Sequence, residues 1–391
     1  MQLSVIILNY NVRHFLELCV LSVQKALLNI DSEIIVVDNA SSDESCKMIK
    51  ERFPTIKLIQ NIENEGFPKG NNVGVDQASA KYVCILNPDT LVAEDTFSKM
   101  LNYFQTHNSP IGIMGCKLID GTGHFLPESK RGVPTPWVAF TKISGLYKIF
   151  PNLSLMNRYY AQHLLPHETG EVDILVGAMM VMERDFYQQL NGFDETCFMY
   201  SDDIDLSYRS LLHHRKNYYF SEATVLHFKG ESTVKDVTYF NHFRKAMEYF
   251  YQKHFKKSQW FSIFLSMGAF VFSFLKLLKS KPKKTQKAEI SILISNSIDQ
   301  SDFLFQISNS FKQLKIVEKL PENLSEIYAD SNKVQVIFDL EFISFKDAFK
   351  MMENSNSKSL TFRFLHPEKV FMLGSDSSFE RGEVVEFELQ K

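Results

Sequence analysis

Short apolar runs alternate with helix-like patterns through the first half of this 391-residue chain. The runs typical of buried strands are "LSVIILN", "EIIVVDN", "IKLIQN" and "YVCILN". Between them, the spacing of apolar residues predicts helices over Val12 to Leu28, Asp43 to Phe53 and Lys69 to Ala80. This alternation predicts an α/β fold whose doubly wound, mostly parallel sheet is covered by helices on both faces.

Asparagine or aspartate follows or ends each of these four strands. The residues are Asn9, Asp38 with Asn39, Asn61, and Asn87 with Asp89. In such sheets, ligands bind beyond the carboxyl ends of the strands. A single polar residue at that place is typical of a turn, whereas four in succession indicate a ligand site. A dinucleotide-binding fold is excluded because "LNYNVRHF" has none of the glycines of a G-x-G-x-x-G loop.

Asp89 is a candidate metal ligand because its carboxylate follows a buried strand, and Mg²⁺ and Mn²⁺ prefer oxygen ligands. A divalent ion that bridges a diphosphate would neutralise the charge that builds on a leaving phosphate. His227, in "ATVLHFKG", is a candidate nitrogen ligand of the same ion, although a lone histidine can equally be structural. Asp38 is well placed to accept hydrogen bonds from a nucleoside.

Three aspartates, Asp202, Asp203 and Asp205, crowd into the stretch "CFMYSDDIDLSYR". Acids stabilise the first turn of a helix by about 0.3–1 kcal/mol each, and the pattern that follows is helical. A helix start needs only one acid, so three indicate a second role. Crowding raises the proton affinity of one carboxylate. We expect Asp203 or a neighbour to be the base that takes a proton from an acceptor hydroxyl during sugar transfer.

Six motifs occur in order along the chain: "SVIILNYN", "IIVVDNASSD", "NEGFPKGNNVG", "ILNPDT", "VGAMMVMERDFYQQLNGFDETCFMYSDDIDLSYR" and "HFKGEST". Together they resemble the family 2 glycosyltransferases of the GT-A fold, especially the rhamnosyltransferase-like branch that builds bacterial surface polysaccharide. The resemblance covers roughly residues 1 to 255. Each motif alone is weak, but six in order with sensible spacing are specific.

The resemblance implies a GT-A-type nucleotide-diphospho-sugar transferase fold and a role for each matching residue. Asn9 and Asp38 would hold the nucleoside, with Asn39 and Asn71 nearby. "NPD" stands in the place of the family's D-x-D motif, so Asp89 would bind the metal, and Asn87 replaces the usual first aspartate.

Further roles come from the second half of the resemblance. Gly177 and Ala178 match a loop near the donor sugar and the acceptor. "SDDIDL" matches the family's E-D-x-D-L motif, which makes Asp203 the catalytic base and puts Asp202 in the place of the glutamate. His227 matches a residue that contacts the metal or the diphosphate. The family inverts the anomeric configuration by direct displacement.

Positive charge is concentrated between Arg244 and Lys287, a segment with eleven Lys/Arg residues and one acid. The net charge of this segment is +10, and that of the remainder of the chain is −13. Such asymmetry predicts a polyanionic partner.

The apolar stretch Trp260 to Leu275 would form a helix about 24 Å long, shorter than the roughly 30 Å hydrocarbon core of a bilayer. Its serine stripe predicts a helix lying in the interface of an anionic membrane. A core helix between domains and a transmembrane span are the alternatives, and nucleic acid is not an expected partner.

Three parts are therefore predicted. They are a GT-A glycosyltransferase domain at 1–257, an amphipathic membrane-interface helix with a basic linker at 258–287, and a small α/β accessory domain at 288–391.

Five scattered cysteines without CxxC spacing indicate buried free thiols in a reducing compartment. The N-terminus lacks the basic start of a signal peptide. We expect a cytoplasmic protein that associates peripherally with the inner face of the cell membrane.

The sequence thus predicts an inverting glycosyltransferase that depends on Mg²⁺ or Mn²⁺. Its donor would be a nucleotide-diphospho-sugar, and its acceptor a lipid-linked glycan or polysaccharide of the bacterial cell surface. One alternative is a nucleotidyltransferase with a related sheet, although "LNYNVRH" is not the basic, Gly-rich loop that would hold a triphosphate. The other is a non-catalytic, membrane-associated scaffold.

Overall fold

The computed structural model describes residues 1–143, 146–150, 153, 156, 158–196, 201–229, 237–255, 288–296, 311–318, 324, 333–355, 357, 359–376 and 382–387. The predicted interface helix and basic linker at 258–287 lie outside these ranges. Among the helices that are described, none has both the length and the apolar character needed to cross a bilayer.

Within the described residues, nine strands form the sheet of the N-terminal domain. They are β1 (Leu3–Asn9), β2 (Ser32–Asp38), β3 (Lys57–Gln60), β4 (Tyr82–Leu86), β5 (Thr90–Val92), β6 (Ile111–Ile119), β7 (Gly170–Val172), β8 (Met179–Glu183) and β9 (Lys216–His227). Their order is β3-β2-β1-β4-β8-β6-β9-β5, and β7 pairs with β9. The first four strands of this order are parallel, while β8 runs antiparallel to β4 and to β6.

Helices cover this sheet and are connected to it in the predicted alternating order. They are α1 (Arg13–Ala26), α2 (Ser45–Arg52), α3 (Gly66–Asp76), α4 (Thr96–Thr106), α5 (Pro136–Ile143), α6 (Leu146–Ile149), α7 (Arg184–Gln189), α8 (Asp202–Leu212) and α9 (Val237–His254). Every residue of β1 and β4 is buried, as expected for central strands covered on both faces.

Two glycines allow α3 to pack closely against β1. A Cβ atom at Gly70 would lie 2.4 Å from Cδ1 of Leu8, and one at Gly74 would lie 2.4 Å from Cγ2 of Ile6. A larger residue at either position would force the helix away from the sheet. The "GNNVG" motif therefore has a packing role besides the binding role expected of Asn71.

The C-terminal domain contains a second sheet of six strands within the described residues. They are β10 (Ile290–Ile294), β11 (Leu314–Val317), β12 (Val334–Asp339), β13 (Leu360–Leu365), β14 (Phe371–Ser375) and β15 (Glu383–Glu386), in the order β11-β10-β12-β13-β14-β15. The helix α10 (Phe345–Asn354) follows β12. The side chain of Ser344 caps it by accepting a hydrogen bond from the backbone N–H of Asp347 at 3.0 Å.

The predicted fold class, an α/β protein with a doubly wound, mostly parallel sheet and a second small α/β unit, is confirmed. Five strands of the second sheet coincide with sequence runs whose apolar residues indicate strands, "EISILIS", "VQVIFDL", "LTFRFL", "KVFMLGS" and "VVEFEL". The sequence does not reveal β11, because this four-residue edge strand pairs only with β10 among the described strands and has no fully buried residue. Its pattern "LKIV" is too short and too exposed to be distinguished from a loop.

Candidate active site at the carboxyl edge of the sheet

Asn9 and Asp38 lie side by side where β1 and β2 end, because the two parallel strands pair in register at these residues. Nδ2 of Asn9 donates a hydrogen bond to Oδ1 of Asp38 at 2.8 Å, and Oδ2 of Asp38 accepts one from the N–H of Ser41 at 2.8 Å. Both side chains are buried. Oδ1 of Asn9 is buried without a hydrogen-bond partner in the described part of the chain. It is therefore an acceptor suited to an N–H group of a ligand.

Asn39 and Asn71 lie next to this pair but have local partners. The amide of Asn39 donates to the carbonyl of Gly66 at 3.1 Å and accepts from Nδ2 of Asn61 at 2.7 Å, so it ties the loop before α3 to the end of β2. Nδ2 of Asn71 donates to the carbonyl of Phe67 at 2.9 Å. Its Oδ1 is buried and, among the described residues, has no partner. Asn71 thus retains an acceptor for a ligand.

Asp89 and His227 form a pair at the far side of the same edge. Oδ1 of Asp89 lies 3.3 Å from Nε2 of His227, and both side chains are mostly buried. Backbone pairing holds them together, since Thr90 of β5 is opposite His227 of β9 and the N–H of Phe228 donates to the carbonyl of Asp89 at 3.0 Å. Nδ2 of Asn87 lies 3.5 Å from Nε2 of His227.

The donor atoms of this pair fit the predicted Mg²⁺ or Mn²⁺. A carboxylate oxygen and an imidazole nitrogen face each other, and Oδ1 of Asn87 is buried beside them without a partner in the described ranges. The described residues contain no group of three or more His, Cys, Asp or Glu side chains that could hold a metal. A divalent ion at this place would therefore need ligands from a diphosphate and from water, as is usual for Mg²⁺ at phosphate sites.

Asp203 lies in the first turn of α8 and meets the loop that precedes β8. Its Oδ2 accepts hydrogen bonds from Nη2 of Arg131 at 2.6 Å and from the N–H of Gly177 at 3.1 Å. Nη2 of Arg131 also donates to the carbonyl of Leu175 at 2.8 Å. Burial alone would lower the pKa of Arg131, but the Asp203 carboxylate opposes this and the pKa is raised. The guanidinium is therefore a permanent cation beside Asp203.

Gly177 and Ala178 connect Asp203 to the loop of Asp89. The N–H of Asn87 donates to the carbonyl of Ala178 at 3.0 Å, while the N–H of Gly177 binds Asp203. Because β8 is antiparallel to β4, its start lies at the end of β4. The structure thus places Asp38, Asp89, Asp203 and His227 at one edge of the sheet, where the sequence predicts them. The roles assigned to them stay predictions.

The other two acids of the cluster differ from Asp203. Asp205 is buried and is bonded to Nε of Arg209 at 2.7 Å, to Nζ of Lys253 at 2.8 Å and to Nε2 of His254 at 2.6 Å. Burial alone would raise the pKa of Asp205, but these three groups lower it, and the lowering prevails. Asp205 is therefore not the carboxylate of raised proton affinity expected in this cluster, and it anchors α8 to α9. Asp202 is also buried at the start of α8.

Sequence reasoning missed the cations around the site. Arg131 lies in the Pro-rich loop "LPESKRGVPTPW", which gives no periodic signal and joins Asp203 only through the tertiary fold. Lys229 forms an ion pair with Glu128 close to His227. Burial would raise the pKa of Glu128, but Lys229 and His227 contribute to lowering it. Arg209 could have been recognised, because it stands four positions after Asp205 on a predicted helix, a spacing that brings side chains together.

The part of the chain that carries most of this edge matches a known protein family. Residues 4–190 match the family model described as "Glycosyl transferase family 2". This region of the chain belongs to glycosyl transferase family 2. The transferase region contains seven of the predicted site residues, from Asn9 to Ala178. Asp203 and His227 follow residue 190, so their assignment rests on the quoted motifs and on the geometry above.

Several characterised proteins resemble parts of the chain. N-acetylglucosaminyl-diphospho-decaprenol L-rhamnosyltransferase of Mycobacterium tuberculosis (strain ATCC 25618 / H37Rv) is 26% identical over 214 residues, which are 52% of this chain and 68% of that protein. The minor teichoic acid biosynthesis protein GgaB of Bacillus subtilis (strain 168) is 30% identical over 124 residues, 31% of this chain. The matches span 14% of GgaB and 53% of the hexosyltransferase Agl10 of Haloferax volcanii.

A solved structure is also similar to this chain. The mannosyltransferase PcManGT from Pyrobaculum calidifontis, in complex with GDP-Man and Mn²⁺, aligns with a TM-score of 0.46 at 15% sequence identity. The alignment covers 72% of this chain and 81% of PcManGT. The GT-A-type assignment from the sequence agrees with the family to which residues 4–190 belong.

The structural role of Asp205 predicts a pH-dependent loss of stability in Asp205→Asn. Removing one partner of a buried ion pair typically costs about 3–5 kcal/mol. Because the folded pKa is lowered, the contribution of Asp205 is present above the unfolded pKa of about 4 and is lost as the pH falls through the folded value. We expect urea unfolding to show the full difference from wild type at pH 7 and a shrinking difference below about pH 4.

Asp185→Asn is the matched control, since the Asp185 side chain is 81% exposed. It should leave the free energy of unfolding close to that of wild type at every pH. An Asp205→Asn difference that stayed constant down to pH 2 would contradict the electrostatic role of this carboxylate.

Proposed function

We propose that this protein is an inverting, metal-assisted glycosyltransferase. It transfers a sugar from a nucleotide-diphospho-sugar to a hydroxyl of a lipid-linked glycan or polysaccharide in bacterial cell-surface glycan synthesis. The observation that carries the proposal is the Gly177–Ala178 loop, which bonds Asp203 on one side and the Asp89 loop on the other. A proton acceptor and a candidate diphosphate site therefore share one edge of the sheet in a family 2 domain.

The donor's nucleoside binds at the ends of β1 and β2 in this proposal. Asp38 offers carboxylate oxygens, and Asn9 and Asn71 offer buried amide oxygens that have no partner in the described part of the chain. These acceptors suit the N–H and O–H groups of a nucleoside. The diphosphate then extends along the edge towards Asp89 and His227, and the sugar lies near Gly177 and Ala178.

Asp203 acts as the base. The acceptor hydroxyl attacks the anomeric carbon as the bond from that carbon to the phosphate oxygen breaks, and its proton passes to the Asp203 carboxylate. Arg131 and the N–H of Gly177 bind Oδ2 and keep the carboxylate in one orientation. A single displacement inverts the anomeric configuration, and the nucleoside diphosphate leaves. Asp89 and His227 would hold Mg²⁺ or Mn²⁺, which would neutralise negative charge on the diphosphate.

The acceptor class is supported by the names of similar proteins. They include the decaprenol-linked rhamnosyltransferase and the poly(ribitol-phosphate) β-N-acetylglucosaminyltransferase TarS of Staphylococcus aureus (strain Mu50 / ATCC 700699), which is 24% identical over 155 residues. Both names specify acceptors that are lipid-linked or polymeric. The sugar, the nucleotide and the linkage are to be found by a donor screen that counts released nucleoside diphosphate.

Asp203→Asn should abolish most transfer while donor binding is retained, because an amide cannot take the acceptor's proton. Loss of a general base typically lowers the rate by about 10²–10⁴-fold. The measurement is nucleoside diphosphate released in the presence of acceptor, together with the donor dissociation constant from calorimetry. Asp185→Asn is the control. A near wild-type rate in Asp203→Asn would refute the base, and donor binding without transfer to any acceptor by wild type would favour a scaffold.

Removal of divalent metal should stop transfer, because the charge on the leaving diphosphate would no longer be neutralised. Excess EDTA should abolish turnover, and Mn²⁺ or Mg²⁺ should restore it. Asp89→Asn and His227→Ala should each need more metal for half-maximal rate, whereas His124→Ala, at an exposed turn, should not. Undiminished turnover in EDTA would rule out the metal role.

We also propose that the enzyme works at the inner face of the cell membrane, held by the apolar segment Trp260 to Leu275 and the lysines that follow it. This segment lies outside the described residues, so the proposal rests on its sequence alone. Deleting 260–275 should release the protein from anionic liposomes in a sedimentation assay. Unchanged binding by the deletion variant would show that another surface contacts the lipid.

A further inference from the structure

The C-terminal domain packs directly behind the loops that carry Asp89 and His227. We propose that this domain positions the Asp89–His227 pair, and that Glu94 and Phe228 are the positioning residues that transmit its support. The part that concerns metal rests on the proposed function.

The apolar part of this contact begins next to His227. Phe228 is 1% exposed and makes edge-to-face contacts with Phe15 of α1, at 5.2 Å between ring centroids, and with Phe364 of β13, at 6.1 Å. Leu91 of β5 and Leu226 of β9 belong to the same buried cluster, which continues into the core of the C-terminal domain. His227 therefore cannot shift along β9 without disturbing a core shared by both domains.

The polar part begins just after Asp89. Glu94 follows β5 by two residues, and its two carboxylate oxygens accept hydrogen bonds from the N–H groups of Phe345 and Lys346, both at 2.9 Å. These N–H groups open α10, where backbone donors have no partner within the helix and a negative charge is favourable. Lys346 also pairs with Asp95 at 2.7 Å. The start of α10 is thereby bound to the end of β5.

The other end of α10 is bound to the neighbouring strands. Glu353 pairs with Nζ of Lys117 of β6 at 2.7 Å, and its other oxygen lies 3.5 Å from Oγ1 of Thr224 of β9. Gly123 lies against the same end, where a Cβ atom would come within 2.7 Å of the carbonyl oxygen of Met352. The helix thus spans from the end of β5, which follows Asp89, to β6 and to β9, which ends at His227.

This support matters because β5 is weak by itself. It has three residues, lies at the edge of the sheet, and among the described strands pairs only with β9. Three-residue edge strands are at the short limit for strands in proteins and are readily displaced. Asp89 directly precedes β5, so the contacts of Glu94 with α10 limit the movement of its backbone.

Glu94→Ala in the full-length protein tests the proposal with two readouts. Loss of a helix-start acceptor corresponds to about a fivefold change in an equilibrium constant. We expect amide hydrogen exchange in the segment that contains Phe228, whose N–H bonds Asp89, to accelerate by about that factor. We expect the dissociation constant for Mn²⁺ alone, measured by electron paramagnetic resonance, to rise similarly. Glu94→Gln, which keeps an acceptor, should recover part of both effects, and Glu51→Ala, at an exposed position of α2, should show neither.

Exchanging the two charges of the Lys117–Glu353 ion pair distinguishes a loss of this contact from general misfolding. Lys117→Glu and Glu353→Lys should each accelerate exchange at Phe228, whereas the double variant should restore the wild-type rate because the ion pair is rebuilt in reverse. Unchanged exchange and unchanged Mn²⁺ affinity in folded Glu94→Ala and in both single variants would overturn the proposal. If wild type showed no Mn²⁺ binding sensitive to His227→Ala, the metal role of the proposed function would fail, and the exchange data would still decide whether the domain supports these loops.

Discussion

The parallel register of β1, β2 and β4 is the constraint on which the candidate site depends. Asn9 pairs with Asp38, so β1 and β2 end together, and Ile7 pairs with Leu86, so β4 ends about two residues earlier at the same edge. Polar groups that are far apart in the chain therefore meet at one edge, where backbone groups beyond the strands are free to bind a ligand. The reversal of direction at β8 adds Gly177 and Ala178 to this edge, because a strand antiparallel to β4 must start where β4 ends.

Charge compensation separates the surroundings of two of the crowded aspartates, Asp203 and Asp205. Asp205 is enclosed by Arg209, Lys253 and His254 and joins two helices, whereas Asp203 is bound by Arg131 and Gly177 at the ligand edge. The repulsion expected from their spacing is relieved by cations from α8, α9 and a distant loop. These two like charges are tolerated in one helical turn because each is paired with its own cations.

Contacts between the two domains link the accessory sheet to the chemistry of the site. Phe228 and Glu94 are close in sequence to His227 and Asp89, yet their side chains are bound by residues more than a hundred positions later. A short edge strand gains little from its own pairing, so packing from outside the sheet sets how firmly the candidate metal ligands are held. The small domain thus supports the first sheet at β5, its three-residue edge strand.

The sequence by itself determined the fold class, the strands β1 to β4 with the helices between them, and the polar residues at the ends of these strands, because apolar periodicity and strand-end asparagines and aspartates are local signals. It also indicated Asp203 through motif order. Only the tertiary structure decided that Arg131 binds Asp203, that Asp205 is an anchor, that β11 is a strand and that Glu94 caps α10. Those outcomes depend on pairing between residues distant in the chain, and no local pattern encodes which cation or which helix will face a given carboxylate.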